Sequence, residues 1–217
     1  NHNCGIDEQG DVTCWGSDQY GQGSPPDLAF SYVSAGRWHS CGVTTDAKIE
    51  CWGPNDGGAT DFGQISSRPT TGQWAKIAVG YDHVCAIDTE GRAECWGKDV
   101  TGEVSDTPTT RFTHIVAGEQ YSCGLRKNNA IQCWGNAPAA PTGAYIQLSS
   151  FGDHVCGLTA DGMIECDGAA DLGQLDTPDA TYTFVAAGGS HTCGITPLKA
   201  VSCWGNDAQG QSSQTNQ

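Results

Sequence analysis

Six times in this chain two cysteines stand ten positions apart: Cys4/Cys14, Cys41/Cys51, Cys85/Cys95, Cys123/Cys133, Cys156/Cys166 and Cys193/Cys203. The gaps between pairs vary while the ten never does, so each pair marks a local unit. The clearest copy is HVCAIDTEGRAECWG, residues 83–97. Apolar and other residues alternate on both sides of Thr89-Glu90-Gly91, the pattern of a β-hairpin with a three-residue loop and Gly91 in the left-handed position. Such a hairpin sets Cys85 opposite Cys95, Ile87 opposite Ala93 and Val84 opposite Trp96. Directly opposed residues of two antiparallel strands are close enough for a disulfide. The expectation is six disulfides, each inside its own hairpin, with all twelve cysteines used.

The first cysteines recur at steps of 37, 44, 38, 33 and 37 residues. Internal repeats of this length mean a solenoid or a propeller. Every hairpin but the first is preceded by an aromatic-led extended segment, at residues 30–36, 74–80, 112–118, 145–149 and 184–188. Most hairpins are followed by a Gly-Gln turn: Gly21-Gln22, Gly63-Gln64, Gly173-Gln174 and Gly210-Gln211, with Gly102-Glu103 as a variant. Turn, extended segment, aromatic strand and hairpin suit a propeller blade of four short strands. The fold class predicted is therefore all-β, one propeller domain of six repeats over residues 1–217. Repeat one starts inside its hairpin, so its blade is expected to have three strands at best. The tail, residues 206–217, is the candidate to supply the Gly-Gln segment of that blade.

Ala35-Gly36, His39, Cys41-Gly42-Val43, Cys51-Trp52-Gly53 and Gly63-Gln64 together resemble the regulator of chromosome condensation repeat. The resemblance extends over all six repeats. It implies a β-propeller, usually of seven blades, and it does not imply one activity. Members include a nucleotide-exchange factor for a small GTPase, a photoreceptor and secreted bacterial inhibitors of β-lactamase. This chain differs by its two cysteines per blade, as in secreted versions and plant receptor ectodomains. It also has six repeats where seven are usual.

Thirty glycines and nine prolines, with no sustained 3.6-residue periodicity, argue against helices. No apolar run reaches the roughly twenty residues of a membrane span. The chain does not begin with Met, and it reads as a mature form or a piece of a longer protein. Paired cysteines at this density point to an oxidising compartment, hence to an extracellular, secreted or cell-surface protein. There is no Asn-x-Ser/Thr sequon. Net charge is −15 and the ten Lys and Arg are spread singly. That excludes nucleic acid, which needs a basic stripe to displace counterions, and disfavours anionic membranes. A cationic partner, or calcium, is compatible with it.

Histidines 2, 39, 83, 154 and 191 each stand two before the first cysteine, with Tyr121 in that place in repeat four. A His-Cys-Cys metal site per blade is the sharper reading. Repetition in nearly every blade and the lack of short zinc-type cysteine spacing favour a structural role, so no metal ligand is assigned. Trp15, Trp52, Trp96, Trp134 and Trp204 follow the second cysteine, and repetition again favours packing between blades. Trp38 has no counterpart in other repeats, and with Arg37 it is a binding candidate. Repeat five is the other exception. Asp167 replaces Trp, and Asp153, Asp161, Glu165, Asp167 and Asp171 gather in its sequence, which suggests a polar or cation-binding notch. No catalytic residue is assigned: no Gly-x-Ser-x-Gly elbow and no spare cysteine is present.

The function these features imply is non-enzymatic protein recognition or scaffolding outside the cell. A carbohydrate-binding lectin and a structural subunit of a surface or filamentous assembly are the alternatives. The partner is another protein or another copy, joined in one version by strand addition at blade one. Non-reducing peptide mapping should recover six peptides, each holding one Cys pair ten apart, and a bond joining two hairpins would overturn the repeat reading.

Overall fold

The computed structural model describes residues 2–213. It is all-β, with no helix among the described residues. Blade one is the hairpin β1 (His2–Ile6) and β2 (Val12–Gly16). Blade two comprises β3 (Phe30–Ala35), β4 (Ser40–Thr44) and β5 (Ile49–Trp52). Blade three comprises β6 (Trp74–Val79), β7 (His83–Asp88) and β8 (Ala93–Gly97). Blade four is β9 (Phe112–Ala117), β10 (Tyr121–Arg126) and β11 (Ile131–Gly135). Blade five is β12 (Tyr145–Phe151), β13 (His154–Thr159) and β14 (Ile164–Gly168). Blade six is β15 (Phe184–Ala187), β16 (His191–Ile195) and β17 (Val201–Gly205). In blades two to six the first cysteine's strand lies between the aromatic-led strand and the second cysteine's strand.

The hairpin register is the predicted one. Cys85 faces Cys95, Ile87 faces Ala93 and Val84 faces Trp96. Cys4 likewise faces Cys14, Cys41 faces Cys51, Cys123 faces Cys133, Cys156 faces Cys166 and Cys193 faces Cys203. Cα separations are 4.0–4.1 Å and every pair is bonded. The two halves of a bridge differ in surroundings. Cys41, Cys85, Cys123 and Cys156, on middle strands, are fully buried. Cys14, Cys95, Cys133, Cys166 and Cys203 are only half-buried, because the second cysteine's strand is the outer edge of its blade. Gly91 takes φ +86°, and Ala47, Asn129 and Lys199 hold the same left-handed place in their own turns. Asp88 fixes the turn by accepting the N–H groups of Glu90 and Arg92.

Three strands form where four were expected. The Gly-Gln segments fold into turns because their hydrogen-bonding groups are used locally. Gln22, Gln64 and Gln174 accept, through their side-chain carbonyls, the N–H two residues back, from Tyr20, Phe62 and Leu172. Glu103 does the same for Thr101. These side chains are buried. Their main-chain carbonyls then reach the next blade: Gln64, Glu103 and Gln174 accept the indole N–H of Trp96, Trp134 and Trp204 at 2.9, 3.1 and 3.0 Å. Blade one has two strands. The expected help from the tail rests partly on residues 214–217, which lie outside the described residues. Its described part is a turn in which Asp207 accepts the N–H of Ser212 and Ser213.

The inner strands β3, β6, β9, β12 and β15 pack on one another in chain order, and β1 packs on β3. No comparable strand contact joins blade six to blade one among the described residues. Four buried apolar clusters are each shared by two adjacent blades, two with three through five with six. A repeat alone therefore leaves half a core exposed, as in other repeat architectures.

Polar bonds follow the same step from blade to blade. Nε2 of His2, His83 and His154 lies 2.6, 2.8 and 2.9 Å from the hydroxyl of Ser40, Ser122 and Thr192 in the next blade. Tyr121 replaces His and bonds Ser150 at 2.8 Å. In blade two the series breaks: Val84 stands where the hydroxyl would be, and both ring nitrogens of His39 are buried without a partner. The cysteines beside these histidines are paired with each other in disulfides, and the ring nitrogens of His2, His83 and His154 meet hydroxyls.

Burial holds these imidazoles neutral, lowering His39 to about 3 and both His83 and His154 to about 4. The folded state thus binds fewer protons than the unfolded chain, whose histidines titrate near 6.5. Their contribution to stability is complete above pH 6.5 and is lost as the pH falls toward 4. The urea midpoint should drop across that window, and His83→Gln should flatten its share of the slope. A midpoint constant from pH 7 to pH 4 would contradict the assignment. The tryptophans give a second check. Trp96 is buried to 5 % exposure while Trp15 is 58 % exposed. Trp96→Ala should cost about 3–5 kcal/mol and Trp15→Ala within about 0.5 kcal/mol, read from denaturant melts.

Candidate functional site

Each inner strand ends in a turn that leads into the middle strand, and these turns crowd round one mouth of a central cavity of about 1130 Å³. The crowding explains the Gly of the Ala-Gly signature. A Cβ at Gly36, Gly80, Gly118 or Gly152 would lie 2.4, 2.6, 2.8 or 2.5 Å from the carbonyl oxygen of Gly80, Gly118, Gly152 or Gly189 in the neighbouring blade. The N–H of Tyr81 donates to Gly118 O at 3.2 Å and that of Glu119 to Gly152 O at 2.8 Å, which stitches the ring of turns together. Tyr81 and Glu119 are therefore held at the rim of the mouth by main-chain bonds, and the residue after the glycine varies in type from blade to blade: Arg37, Tyr81, Glu119 and Asp153.

Those variable positions carry the site. Arg37 is exposed, and its guanidinium lies 4.9 Å from the Trp38 ring centre and 5.3 Å from that of Tyr81. Cation–π contact with two rings holds it in place. Tyr20, from the turn after blade one, meets Trp38 edge-on at 5.5 Å. Tyr81 in turn packs on Phe151 at 5.2 Å. Tyr81 and Phe151 also line the cavity. Glu119 and Asp153 complete the rim. Partial burial, the Asp153 charge and a hydrogen bond with Asp153 raise the Glu119 carboxyl above its ordinary range, with Arg37 opposing the shift. The Tyr81 hydroxyl is raised by burial and by the same two carboxylates, again against Arg37. Behind them Asp82 pairs with Lys98 at 3.1 Å, and Lys98 covers the Phe62 ring at 4.5 Å.

Of the residues singled out in sequence, the fold brings Arg37, Trp38 and Asp153 to one mouth although blade two, which carries the first two, and blade five, which carries the third, are three blades apart in the chain. It does not bring the rest of repeat five there. Asp161 sits in the β13–β14 turn and accepts the Thr159 hydroxyl, as Asp46 does for Thr44. Glu165, on β14, accepts the Tyr145 hydroxyl. Asp167 faces Val155 across the ladder, half-buried in the place of the blade tryptophan. The disulfides stand apart from the mouth as well. Cys4 and Cys193 reach the cavity wall, whereas Cys14, Cys133, Cys166 and Cys203 lie on the outer strands away from it. Those four close their hairpins, and Cys133 and Cys166 also pack against the cores shared with the next blade. Sequence reading missed Tyr81, Glu119 and Phe151. For Tyr81 and Glu119 the signal was available: a single position after the glycine whose residue type changes from blade to blade; Phe151, which precedes Gly152, does not share it.

Three stretches, residues 1–22, 74–103 and 182–211, match the family model of the regulator of chromosome condensation (RCC1) repeat. No curated protein sequence matches the chain significantly. Among solved structures, the ectodomain of the Physcomitrella patens receptor kinase CR4 is 23% identical with a TM-score of 0.77, over 94% of this chain and 59% of that one. The CRINKLY WD40 ectodomain of the Arabidopsis thaliana receptor kinase ACR4 is 23% identical with a TM-score of 0.79, over 99% and 79%. Yeast RCC1 (Prp20), solved with Kap60 bound, is 17% identical with a TM-score of 0.76, over 95% and 68%. At these identities the likeness is one of fold.

Proposed function

We infer that this chain, a disulfide-stapled β-propeller of RCC1 repeats, is a non-enzymatic module that recognises another protein outside the cell. The observation that carries the reading is the aromatic and arginine cluster at the channel mouth. Trp, Tyr and Arg are the residue types that dominate binding energy at protein interfaces. Here Arg37, Trp38, Tyr81 and Phe151 stand together on turns that the packing of adjacent inner strands positions. Six hairpin disulfides support an oxidising, extracellular setting. Two of the structurally similar proteins are receptor ectodomains. A net charge of −15 and the carboxylates of Glu119 and Asp153 favour a partner surface that carries Lys or Arg.

A glycan is the second ligand that these residues suit, because sugar rings stack on Trp and Tyr faces beside carboxylates; Trp38, Tyr81 and Asp153 would be the contacts.

Affinity capture from the extracellular fraction of the native source, followed by mass spectrometry and titration, tests the reading. Arg37→Ala and Trp38→Ala should each weaken the captured protein by about 2 kcal/mol, roughly thirtyfold. Leu198→Ala, in the exposed β16–β17 hairpin turn at the opposite end of the strands, should leave it unchanged. Full retention by the Arg37→Ala/Trp38→Ala double variant would move recognition elsewhere. Array binding to a glycan that the double variant loses would establish the lectin reading instead.

A further inference from the structure

The outer strand of each blade carries a polar residue just before its second cysteine, and in three blades that residue has a side-chain partner. In blade two it is Glu50. Arg68, from the loop that follows the blade, lays its guanidinium along the strand. Its Nε donates to Ile49 O at 3.3 Å, its Nη1 donates to Ile65 O at 3.3 Å, and its Nη2 meets the Glu50 carboxylate at 3.0 Å. In blade four Gln132 accepts the Arg126 guanidinium and the Thr110 hydroxyl. In blade five Glu165 accepts the Tyr145 hydroxyl. Blade three breaks the series. Glu94 precedes Cys95 as Glu50 precedes Cys51, yet it is exposed and has neither a hydrogen bond nor an ion pair among the described residues.

Thr107 stands in the place of Arg68. Each precedes a proline, Pro69 or Pro108, that lies five residues after the turn's Gln64 or Glu103. Thr107 makes one of the three contacts: its hydroxyl donates at 2.6 Å to Val104 O, the counterpart of Ile65 O. On the side of the strand where Arg68 lies in blade two, blade three has a groove of about 480 Å³ between β8 and the loop. Glu94, Val104, Thr107 and Pro108 are in its walls. Ala93 O, the counterpart of Ile49 O on the outer edge of the blade, has no donor among the described residues. Arg92 also borders the groove, but its guanidinium is engaged by Asp88 at 3.5 Å and Glu90 at 2.6 Å.

We propose that this groove binds an arginine side chain of a partner protein, whose guanidinium donates to Ala93 O and to the Glu94 carboxylate. The site is separate from the channel mouth and does not rest on it. Arg68 is the template, because the same two acceptors in blade two hold a guanidinium that the chain supplies itself. A guanidinium fork reaches a carbonyl and a carboxylate together, which the single point of an ammonium does not reproduce. The methylenes of the guest would lie against Val104 and Pro108 in the groove wall. A net charge of −15 favours a cationic guest.

The probe is an acetylated, amidated Gly-Arg-Gly peptide, titrated into the isotopically labelled chain and followed by NMR on the backbone amides, with Gly-Lys-Gly as the control. The arginine peptide should move the signals of Ala93, Glu94, Val104 and Thr107 saturably. The lysine peptide should bind about tenfold more weakly, for want of the fork. Glu94→Gln should weaken the arginine peptide by about tenfold, the size expected for one charge-assisted hydrogen bond. Glu94 is exposed and without a side-chain partner, so this variant keeps the native amide spectrum. Thr107→Arg should fill the groove from within, raise the melting temperature and abolish the shifts. Arg37→Ala and Trp38→Ala should leave the peptide's affinity unchanged, which separates this site from the mouth. Equal binding of the two peptides would overturn the proposal. So would undiminished binding to Glu94→Gln or to a folded Thr107→Arg chain, or shifts that avoid the groove.

Discussion

Each repeat of this protein is completed by the next, and the bond that begins the completion runs from an aromatic residue's N–H to the hairpin tip of the blade before it. That single donor sets the start of the inner strand. The aromatic ring is then carried onto the glycine beside the first cysteine, and the same ring meets the blade tryptophan. The tryptophan's indole N–H is turned to the carbonyl of the preceding Gly-Gln loop. Remove the first contact and the others lose their register. The disulfide works at a different level: it holds the two outer strands opposed without depending on any neighbour. A blade is therefore local in its covalent staple and non-local in its core.

The balance between those levels explains what the residues disclose. The hairpins were legible because a ten-residue spacing, a left-handed turn and strand alternation are short-range facts. The inner strands were legible from aromatic and β-branched content, blade six included, where the strand opens at Phe184; in Thr181-Tyr182-Thr183-Phe184, however, it is Tyr182 that takes the bond to the preceding turn. Only the bond to the preceding turn distinguishes Tyr182 from Phe184, and that bond joins separate repeats. The fourth strand was misread for a related reason. Gln22 and its counterparts look like strand-flanking turn residues, yet their side chains satisfy the loop's own N–H groups and leave nothing for a ladder. The mouth was half legible. Arg37 and Trp38 stood out as unrepeated, but their meeting with Tyr81, Phe151 and Glu119 follows from the closure of the inner turns, which no local pattern encodes.

Repetition and exception have different physical content here. A residue found in every blade answers a packing demand that every blade shares, as the buried histidines and tryptophans do. Where the demand is not met, the cost is visible: His39 keeps its nitrogens buried and unpaired because the next blade offers Val84 in place of a hydroxyl. Trp15 shows the converse, a repeated residue left half in water in a blade that has two strands among the described residues. The rim residues belong to neither class. Main-chain bonds fix the turns of Tyr81 and Glu119, which releases the choice of side chain there from the ladder.

That release bears on the charge. Carboxylates elsewhere in the chain, such as Asp18, Asp99 and Asp207, accept loop N–H groups and are held below their ordinary range. Glu119 is the opposite case, pushed up by burial beside Asp153 while Arg37 stays engaged with two rings. A cation brought beside that carboxyl relieves the repulsion from Asp153. On the proposed reading, a lysine or arginine of a partner would meet both carboxylates at the mouth and find ring faces beside it, and the acidity of the chain as a whole would raise the local concentration of such a partner.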